Sequence, residues 1–475
     1  MTIPSETQKY FENVAGNWNE LRTGFFREEV RKVAIQKAYL RPEFVVVDMG
    51  AGTGFLSEAL APLVRKVFLI DASEGMLQQA QKNLSQFTNL EYRVADGTHI
   101  PLPDESVDAV FANMYLHHCP QPLTAIKEMV RILRPGGRVT LTDLDEHPYS
   151  WLKEEMADTW QGFERKQIFR WFEKADLVNI FIDGTGESCC AKSEEQKEDE
   201  KAKISIFLAT GTRRVQGTRS NVRKHYHALA VNNNTCCDNS PSSCDCNSDA
   251  PASSCCSGYD TPEVAFTTDY PLNDVKPLPK EAAQLSLGCG NPIKSAALQP
   301  GEVVLDIGSG AGLDCLLAAR KVGETGFVYG VDMTPVMVEK SQANAKKAGI
   351  SQIEFKLGHA ENLPLNDASV NVIISNCVIN LCEDKGRVFN EAFRVMRPSG
   401  RMVISDMVTS KSLPLEARKQ VASWASCVAG ALPEQEYLDL IQQAGFLKPT
   451  TQKGISGGML GDVEVYSLEV IARKP

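Results

Sequence analysis

Fourteen cysteines in a chain of 475 residues are the first candidates for chemistry. Cys289 stands in Leu287-Gly288-Cys289-Gly290-Asn291-Pro292, Cys377 follows the apolar run Val372-Ile373-Ile374-Ser375-Asn376, and Cys427 ends the helical stretch Ser423-Trp424-Ala425-Ser426-Cys427. Three thiolates at one place suit a soft, three-coordinate centre, because polarisable sulfur favours soft acceptors. Zinc would use the same atoms, but these three make no CxxC pair, and Cys244-Asp245-Cys246 is one residue too tight for the usual spacing. The adjacent pairs Cys236-Cys237 and Cys255-Cys256 can capture a thiophilic metalloid or stand as idle thiols. Cys315 and Cys382 read as small packing residues, the usual behaviour of a buried cysteine.

The elements that must position these thiols are legible around Val303-Val304-Leu305-Asp306-Ile307-Gly308-Ser309-Gly310-Ala311-Gly312, an apolar run that ends in an acid and a glycine loop. A buried parallel strand delivers its chain to a nucleotide-type ligand in this way. The dinucleotide fingerprint needs one more glycine where Leu313 stands, so the pattern is GxGxG and the reading moves away from NAD. Asp332 closes the next run, Phe327-Val328-Tyr329-Gly330-Val331, where a second parallel strand sets a carboxylate under a ribose diol. In an open sheet of this kind the loops leaving the strand C-termini meet at the ligand crevice. Cys377 belongs to that edge, and Cys289 and Cys427 can reach it.

The whole arrangement occurs twice. Val45-Val46-Val47-Asp48-Met49-Gly50-Ala51-Gly52-Thr53-Gly54 repeats the strand and loop, Asp71 follows Val67-Phe68-Leu69-Ile70, and Arg134-Pro135-Gly136-Gly137 with Asp143 matches Arg397-Pro398-Ser399-Gly400 with Asp406 at one common spacing. In the first copy the apolar runs predict strands near 44–48, 67–70, 90–95, 107–112 and 138–143, alternating with helices, and hence a parallel sheet. Two further strands are expected near 177–183 and 204–210, with Glu187 to Lys203, which includes Cys189-Cys190, as a solvated hairpin loop between them. The boundaries read as a first domain over 1–214, a linker and flexible cysteine-rich segment over 215–280, and a second domain over 281–475 with 220–280 as its extension. A short helix starts at Val222 in that linker, and Asn232 to Gly258 lacks the apolar residues to form a core. A net charge of −10 without a basic tract argues against a nucleic-acid partner. No run reaches the roughly 18 apolar residues of a membrane helix and the first ten residues are polar, so neither a span nor a signal peptide is expected, and a cytoplasmic protein follows.

Taken together, loop, acid, Arg397-Pro398-Ser399-Gly400 turn and the strand from Arg401 to Asp406 resemble the class I S-adenosylmethionine-dependent methyltransferases. The resemblance implies an α/β fold: two tandem Rossmann-like domains, each a doubly wound seven-stranded sheet whose last strand is antiparallel. Gly308, Gly310 and Gly312 would then face the methionine end of the cofactor and Asp332 its ribose. Ala360 and Glu361 would border the adenine, with Asp306, Met333 and Asn376 beside them. In the first copy Asp48, Gly50, Gly52, Gly54 and Asp71 take the same parts, with Asp96 and Gly97 at the adenine amino group.

Over roughly residues 220–475 the cysteine surroundings, Leu-Gly-Cys-Gly-Asn-Pro, Ser-Asn-Cys-Val-Ile-Asn-Leu and Ser426-Cys427-Val428-Ala429-Gly430, closely resemble arsenite S-adenosylmethionine methyltransferases. That resemblance implies that Cys289, Cys377 and Cys427 bind As(III), that Cys255 or Cys256 supplies a further thiol, and that methyl groups pass to arsenite and methylarsenite in arsenic detoxification. It also implies an external thiol reductant, thioredoxin or glutathione. The first copy, with Tyr10-Phe11-Glu12-Asn13-Val14-Ala15 and Trp18, resembles small-molecule methyltransferases of the ubiquinone-biosynthesis type. There Cys119 is expected to be the only cysteine near the crevice, and His117 and His118 either serve as a general base or shape the pocket. Two other readings stay open: a protein that sequesters thiophilic metals on inherited folds, and an ordinary carbon or oxygen methyltransferase.

Overall fold

Val45–Met49 is buried at all five positions, as a strand covered on both faces must be, and it forms the centre of the first sheet. The computed structural model describes residues 6–192, 201–231, 270–285, 288–414, 417 and 428–475. The first sheet comprises β1 (Val45–Met49), β2 (Lys66–Asp71), β3 (Leu90–Val94), β4 (Val107–Asn113), β5 (Leu133–Leu144), β6 (Leu177–Lys192) and β7 (Lys201–Arg213). Its order is β3-β2-β1-β4-β5-β7-β6. The strands from β1 to β5 run parallel, and β7 pairs antiparallel with both β5 and β6.

The second sheet repeats the plan with β8 (Val303–Ile307), β9 (Phe327–Asp332), β10 (Ile353–Leu357), β11 (Val370–Asn376), β12 (Met396–Thr409), β13 (Thr450–Leu460) and β14 (Val463–Arg473), in the order β10-β9-β8-β11-β12-β14-β13. In both sheets the order reverses between the first strand and the fourth, the switch point at which open α/β sheets bind ligands. Register carries the duplication down to single residues: Val46 faces Ala109 as Val304 faces Val372.

Three expectations change. The hairpin between β6 and β7 is far longer than a loop from Glu187 allows: Ser188 to Lys192 pair with Ser205 to Lys201. Along this arm Cys189 and Ala191 are buried while Cys190 is exposed, the period of two that a strand imposes. The Arg-Pro-Gly-Gly and Arg-Pro-Ser-Gly segments lie within β5 and β12, at the place where the pairing shifts by three residues, rather than forming turns ahead of those strands. The linker helix begins at Thr218, earlier than Val222, and extends to Val231.

The domains also touch through named pairs. Arg138 on β5 makes an ion pair with Glu436 in the helix Glu434–Gln443, both nearly buried. Arg41 donates to the Ser412 carbonyl at 2.9 Å and to Asp462 at 2.8 Å. The Lys385 amide donates to Asn179 Oδ1 at 2.8 Å, and Arg214 pairs with Glu383 at 2.8 Å. Among the described residues no helix is long and apolar enough to cross a membrane.

Candidate active sites at the two sheet edges

Each first strand turns into its glycine loop by the same device. The amides of Gly50 and Gly308 donate to the carbonyls of Ile70 and Val331 at 2.8 and 2.7 Å. Both glycines have positive φ, and a Cβ on either would lie 2.4 Å from Tyr115 or 2.3 Å from Val378, so no other residue fits. The next glycines, Gly52 and Gly310, donate to Asp71 and Asp332 at 2.8 and 3.0 Å, while Ser73 and Thr334 amides hold the other carboxylate oxygen at 2.9 and 2.8 Å. Burial raises the pKa of both acids and these backbone donors oppose it. Gly54 and Gly312 do not line the crevices. They are the left-handed N-caps of the helices Phe55–Leu60 and Leu313–Val322.

In the second domain the crevice is a cavity of about 130 Å³ lined by Gly308, Gly310, Asp332, Met333, Ala360, Glu361, Asn376 and Cys377, all expected there. Asp306 is instead buried beneath the loop, with the Cys315 thiol 3.3 Å from its carboxylate. Burial, with the charge of Asp314 next, pushes the Asp306 pKa far up. Cys315 is therefore buried as expected for packing, but it also has a polar partner.

Cys377 follows β11 in the left-handed region, φ 55°, with its amide bonded to the Ser405 carbonyl at 2.7 Å. Asn376, one residue earlier, clamps the other cysteine's loop. Its Oδ1 accepts from the Cys289 and Gly290 amides at 2.9 and 3.2 Å, and its Nδ2 donates to the Gly290 carbonyl at 2.9 Å. A Cβ on Gly288 would collide with that amide. Cys289 and Cys377 are thereby brought to a Cα separation of 5.7 Å and are joined as a disulfide. Cys427, Cys255 and Cys256 lie outside the described residues, as do Cys236, Cys237, Cys244 and Cys246.

The sequence reading missed what closes this crevice. The helix Thr218–Val231 contributes Arg219, Val222 and Tyr226 to the lining. Arg219 pairs with Glu361 at 3.0 Å, and Val222 is buried in one cluster with Cys289 and Cys377. Basic and aromatic residues interleaved on a predicted helix were the available signal, but nothing local said which surface it covers.

The first crevice is larger, about 570 Å³, and is lined by Asp48, Gly50, Gly52, Asp71, Asp96 and Gly97. Ser57 donates to Asp48 at 2.6 Å, and burial raises that acid to about 7. Asp96 accepts from the Thr98 amide and hydroxyl at 2.8 and 2.5 Å, and the hydroxyl bond holds its carboxyl below the usual range. Cys119 is not the only cysteine there, because the extended β6 brings Cys189 into the same lining. Burial pushes the Cys189 thiol up to about 12 and raises Cys119 too, so both stay protonated at neutral pH.

His117 Nδ1 lies 2.6 Å from Asp143 Oδ1. Burial lowers its pKa, but the Asp143 charge and hydrogen bond, then Asp158, outweigh this and bring it to about 9. His118 goes the other way: burial and the charge on His117 hold it well below 6.5. Asp158, which nothing in the sequence singles out, lies 3.5 Å from His118 and is raised by burial to about 6.

Comparison with known proteins agrees with this geometry. Residues 47–141 match one family model described as a methyltransferase domain, and residues 298–445 match a second with the same description. Both halves are methyltransferase domains. Among curated relatives, an arsenite methyltransferase of Halobacterium salinarum is 43% identical over 229 residues, 48% of this chain and 57% of that protein. The arsenite methyltransferase of Homo sapiens is 39% identical over 155 residues, 31% of this chain and 41% of that protein. The chain thus spans about half the length of the curated relatives it matches. A crystal structure of an arsenic(III) S-adenosylmethionine methyltransferase from Chlamydomonas reinhardtii is 36% identical, covering 41% of this chain and 70% of that one, with a TM-score of 0.38.

Proposed function

We propose that the second methyltransferase domain transfers methyl groups to trivalent arsenic, arsenite and then methylarsenite, held on cysteine sulfur. The observation that carries this reading is the meeting of Cys289 and Cys377, 5.7 Å apart at Cα, beside the cavity bordered by Asp332 and Gly308. The relatives named arsenite methyltransferases support the same substrate. In its joined form the pair is oxidised, and arsenic binding needs both sulfurs reduced. Cys427, with Cys255 or Cys256, would complete the thiolate set.

The residues present fit S-adenosylmethionine. Gly310 leaves open space where a Cβ would stand, and Asp332 faces the same cavity with carboxylate lone pairs for a diol. Glu361 and Ala360 line the same cavity. When bound, this cofactor supplies a methyl group on a sulfonium, an electrophile for which the arsenic lone pair is the nucleophile. The chain's own task is to replace oxygen on arsenic by sulfur and keep that lone pair facing the cavity, so no general base is required.

Methylation raises arsenic formally to As(V). Two thiolates return it to As(III) by giving up two electrons and forming one disulfide, and an external thiol, thioredoxin or glutathione, reopens that bond by exchange. Cys289 and Cys377 are suitably close for this. The assay is purified full-length protein with arsenite, labelled S-adenosylmethionine and a thiol, in which labelled methylarsenic species are expected. Cys377→Ser should abolish the labelling while calorimetric affinity for S-adenosylmethionine stays near wild type. Full activity in that variant would refute the thiolate site, and arsenite binding without label transfer would favour a sequestering protein.

A further inference from the structure

His117, His118 and Asp158 line one part of the first crevice, and each offers a ligand atom within 4.8 Å of the other two. Asp158 is the telling member. Its side chain is only 4% exposed, yet its carboxylate accepts no hydrogen bond from any described residue. The imidazole nitrogens that face it stand off, His117 Nε2 at 3.8 Å and His118 Nδ1 at 3.5 Å from Oδ1. These gaps exceed the roughly 2.7 to 3.2 Å of a nitrogen–oxygen hydrogen bond. They come close to the separation of two ligands on one ion, because bonds of about 2.0 to 2.2 Å to a tetrahedral zinc put ligand atoms roughly 3.3 to 3.6 Å apart. A buried carboxylate without donors, opposite two imidazoles, calls for a cation between them.

The surroundings prepare both histidines as ligands. His117 Nδ1 donates to Asp143 Oδ1 at 2.6 Å, which leaves Nε2 and its lone pair on the side of Asp158. Asp143 is itself fixed, accepting from the Leu116 and Leu144 amides at 2.8 Å each. A carboxylate behind a metal-binding histidine is the usual outer support, since it sets the tautomer and the ring orientation. His118 packs edge-on against Phe11, with ring centroids 4.9 Å apart, and yields to a cation only a long bond of 3.4 Å to the Ala157 carbonyl. A bound cation replaces protons on these nitrogens, so uptake releases protons. At the common spacing of the two copies Asn380 and Leu381 stand where His117 and His118 do, so the second domain cannot build the same set.

We propose that His117, His118 and Asp158 bind one zinc ion in the first crevice, with an open coordination position turned to the cavity to take an oxygen atom of that domain's acceptor. Two imidazoles and a carboxylate suit zinc better than magnesium or calcium, which favour oxygen throughout. Three protein ligands leave a fourth tetrahedral position free, as catalytic rather than closed structural sites do. This goes beyond the arsenic reading and does not rest on it: the ligands are nitrogen and oxygen, and none belongs to the second crevice or to the glycine loop and Asp71 of the first.

The test uses the full chain, stripped of metal with a chelator and with its accessible thiols blocked by N-ethylmaleimide so that cysteine does not compete. Titration with cobalt(II), a coloured substitute for zinc, is expected to fill one site per chain with visible bands and no sulfur-to-cobalt charge transfer, and zinc should displace it. Asp158→Asn should weaken that binding at least a hundredfold while its calorimetric stoichiometry for S-adenosylhomocysteine stays that of wild type. Zinc-loaded wild type should bind acetohydroxamate, a small oxygen chelator, and the stripped protein should not. If wild type takes up no cobalt or holds it only on sulfur, or if Asp158→Asn binds it as tightly, the site is wrong; loaded protein indifferent to acetohydroxamate would refute the open position. The wild-type titration needs no variant and so does not depend on one folding.

Discussion

At the scale of single residues the first domain carries opposed titrations side by side. His117 has its pKa raised to about 9, so the stability it contributes is complete below about 6.5 and is lost as pH rises through 9. His118 is depressed, so its burial costs nothing above about 6.5 and increasingly much as pH falls below it, where the unfolded chain takes up the proton. His117→Gln should therefore flatten the alkaline limb of the melting temperature against pH, by an amount on the order of 3 kcal/mol between pH 6.5 and 9. His118→Gln should flatten the acid limb. Melting curves from pH 5 to 9.5 for the three proteins check both, and an alkaline limb unchanged by His117→Gln would show that Asp143 does not hold the proton there. The pair was visible in the sequence as two adjacent histidines after a strand, but their different states were not, because Asp143 and Asp158 reach them from other elements. Cys377 was more legible, since its position after an apolar run places it at the sheet edge whatever the details. Asn376, which sets the partner loop of Cys289, was expected only as a cofactor neighbour.

Elements read well from sequence where burial on both faces makes a continuous apolar run, as in β1 and β8, and poorly where burial alternates among small residues. In β6 the inward residues Cys189 and Ala191 are too short to mark the period, and the charges that follow disguise the arm as loop. The helix Thr218–Val231 is visible in the sequence, but the surface it covers is not. Read as linker, it is the element that covers the second crevice, through Arg219 on Glu361 and Val222 against the cysteine pair. The Arg219 pair is partly exposed and worth little by itself, so Val222 should matter more. Val222→Ala removes two buried methyl groups at about 2 kcal/mol. Hydrogen exchange across 218–231 is expected to accelerate and affinity for S-adenosylmethionine at the second site to fall several-fold, with the first site unaffected. Equal exchange in the two proteins would mean that the helix is held from its ends and not by this contact.

Over the whole molecule the duplication was plain in the sequence, whereas the contact between the copies was not, because no motif announces it. Arg138 and Glu436 are nearly buried where the domains meet, and removing one member of such a pair strands the other charge. Glu436→Ala should cost about 3 to 5 kcal/mol in denaturant unfolding, while Asp462→Ala, whose carboxylate is more than half exposed, should leave the unfolding midpoint nearly unchanged. The copies differ in what they can hold: the place of Cys377 after β11 is taken by Met114 after β4, both left-handed and both bonded to the next strand, and the two cysteines of the first crevice are protonated by burial. Both copies nevertheless keep the loop and the acid. Wild-type protein should therefore bind two equivalents of S-adenosylmethionine, and Asp71→Ala and Asp332→Ala should each weaken one of them by about 1.5 to 3 kcal/mol, the size of a hydrogen bond to a charged group. The two variants should part company with arsenite: Asp332→Ala loses methylation and Asp71→Ala keeps it, provided the domains share a fold but not a reaction. Calorimetric stoichiometry combined with the labelled arsenite assay measures both quantities on the intact chain. Loss of arsenite methylation in Asp71→Ala would mean that the first copy is the active one or that the two sites work as a unit.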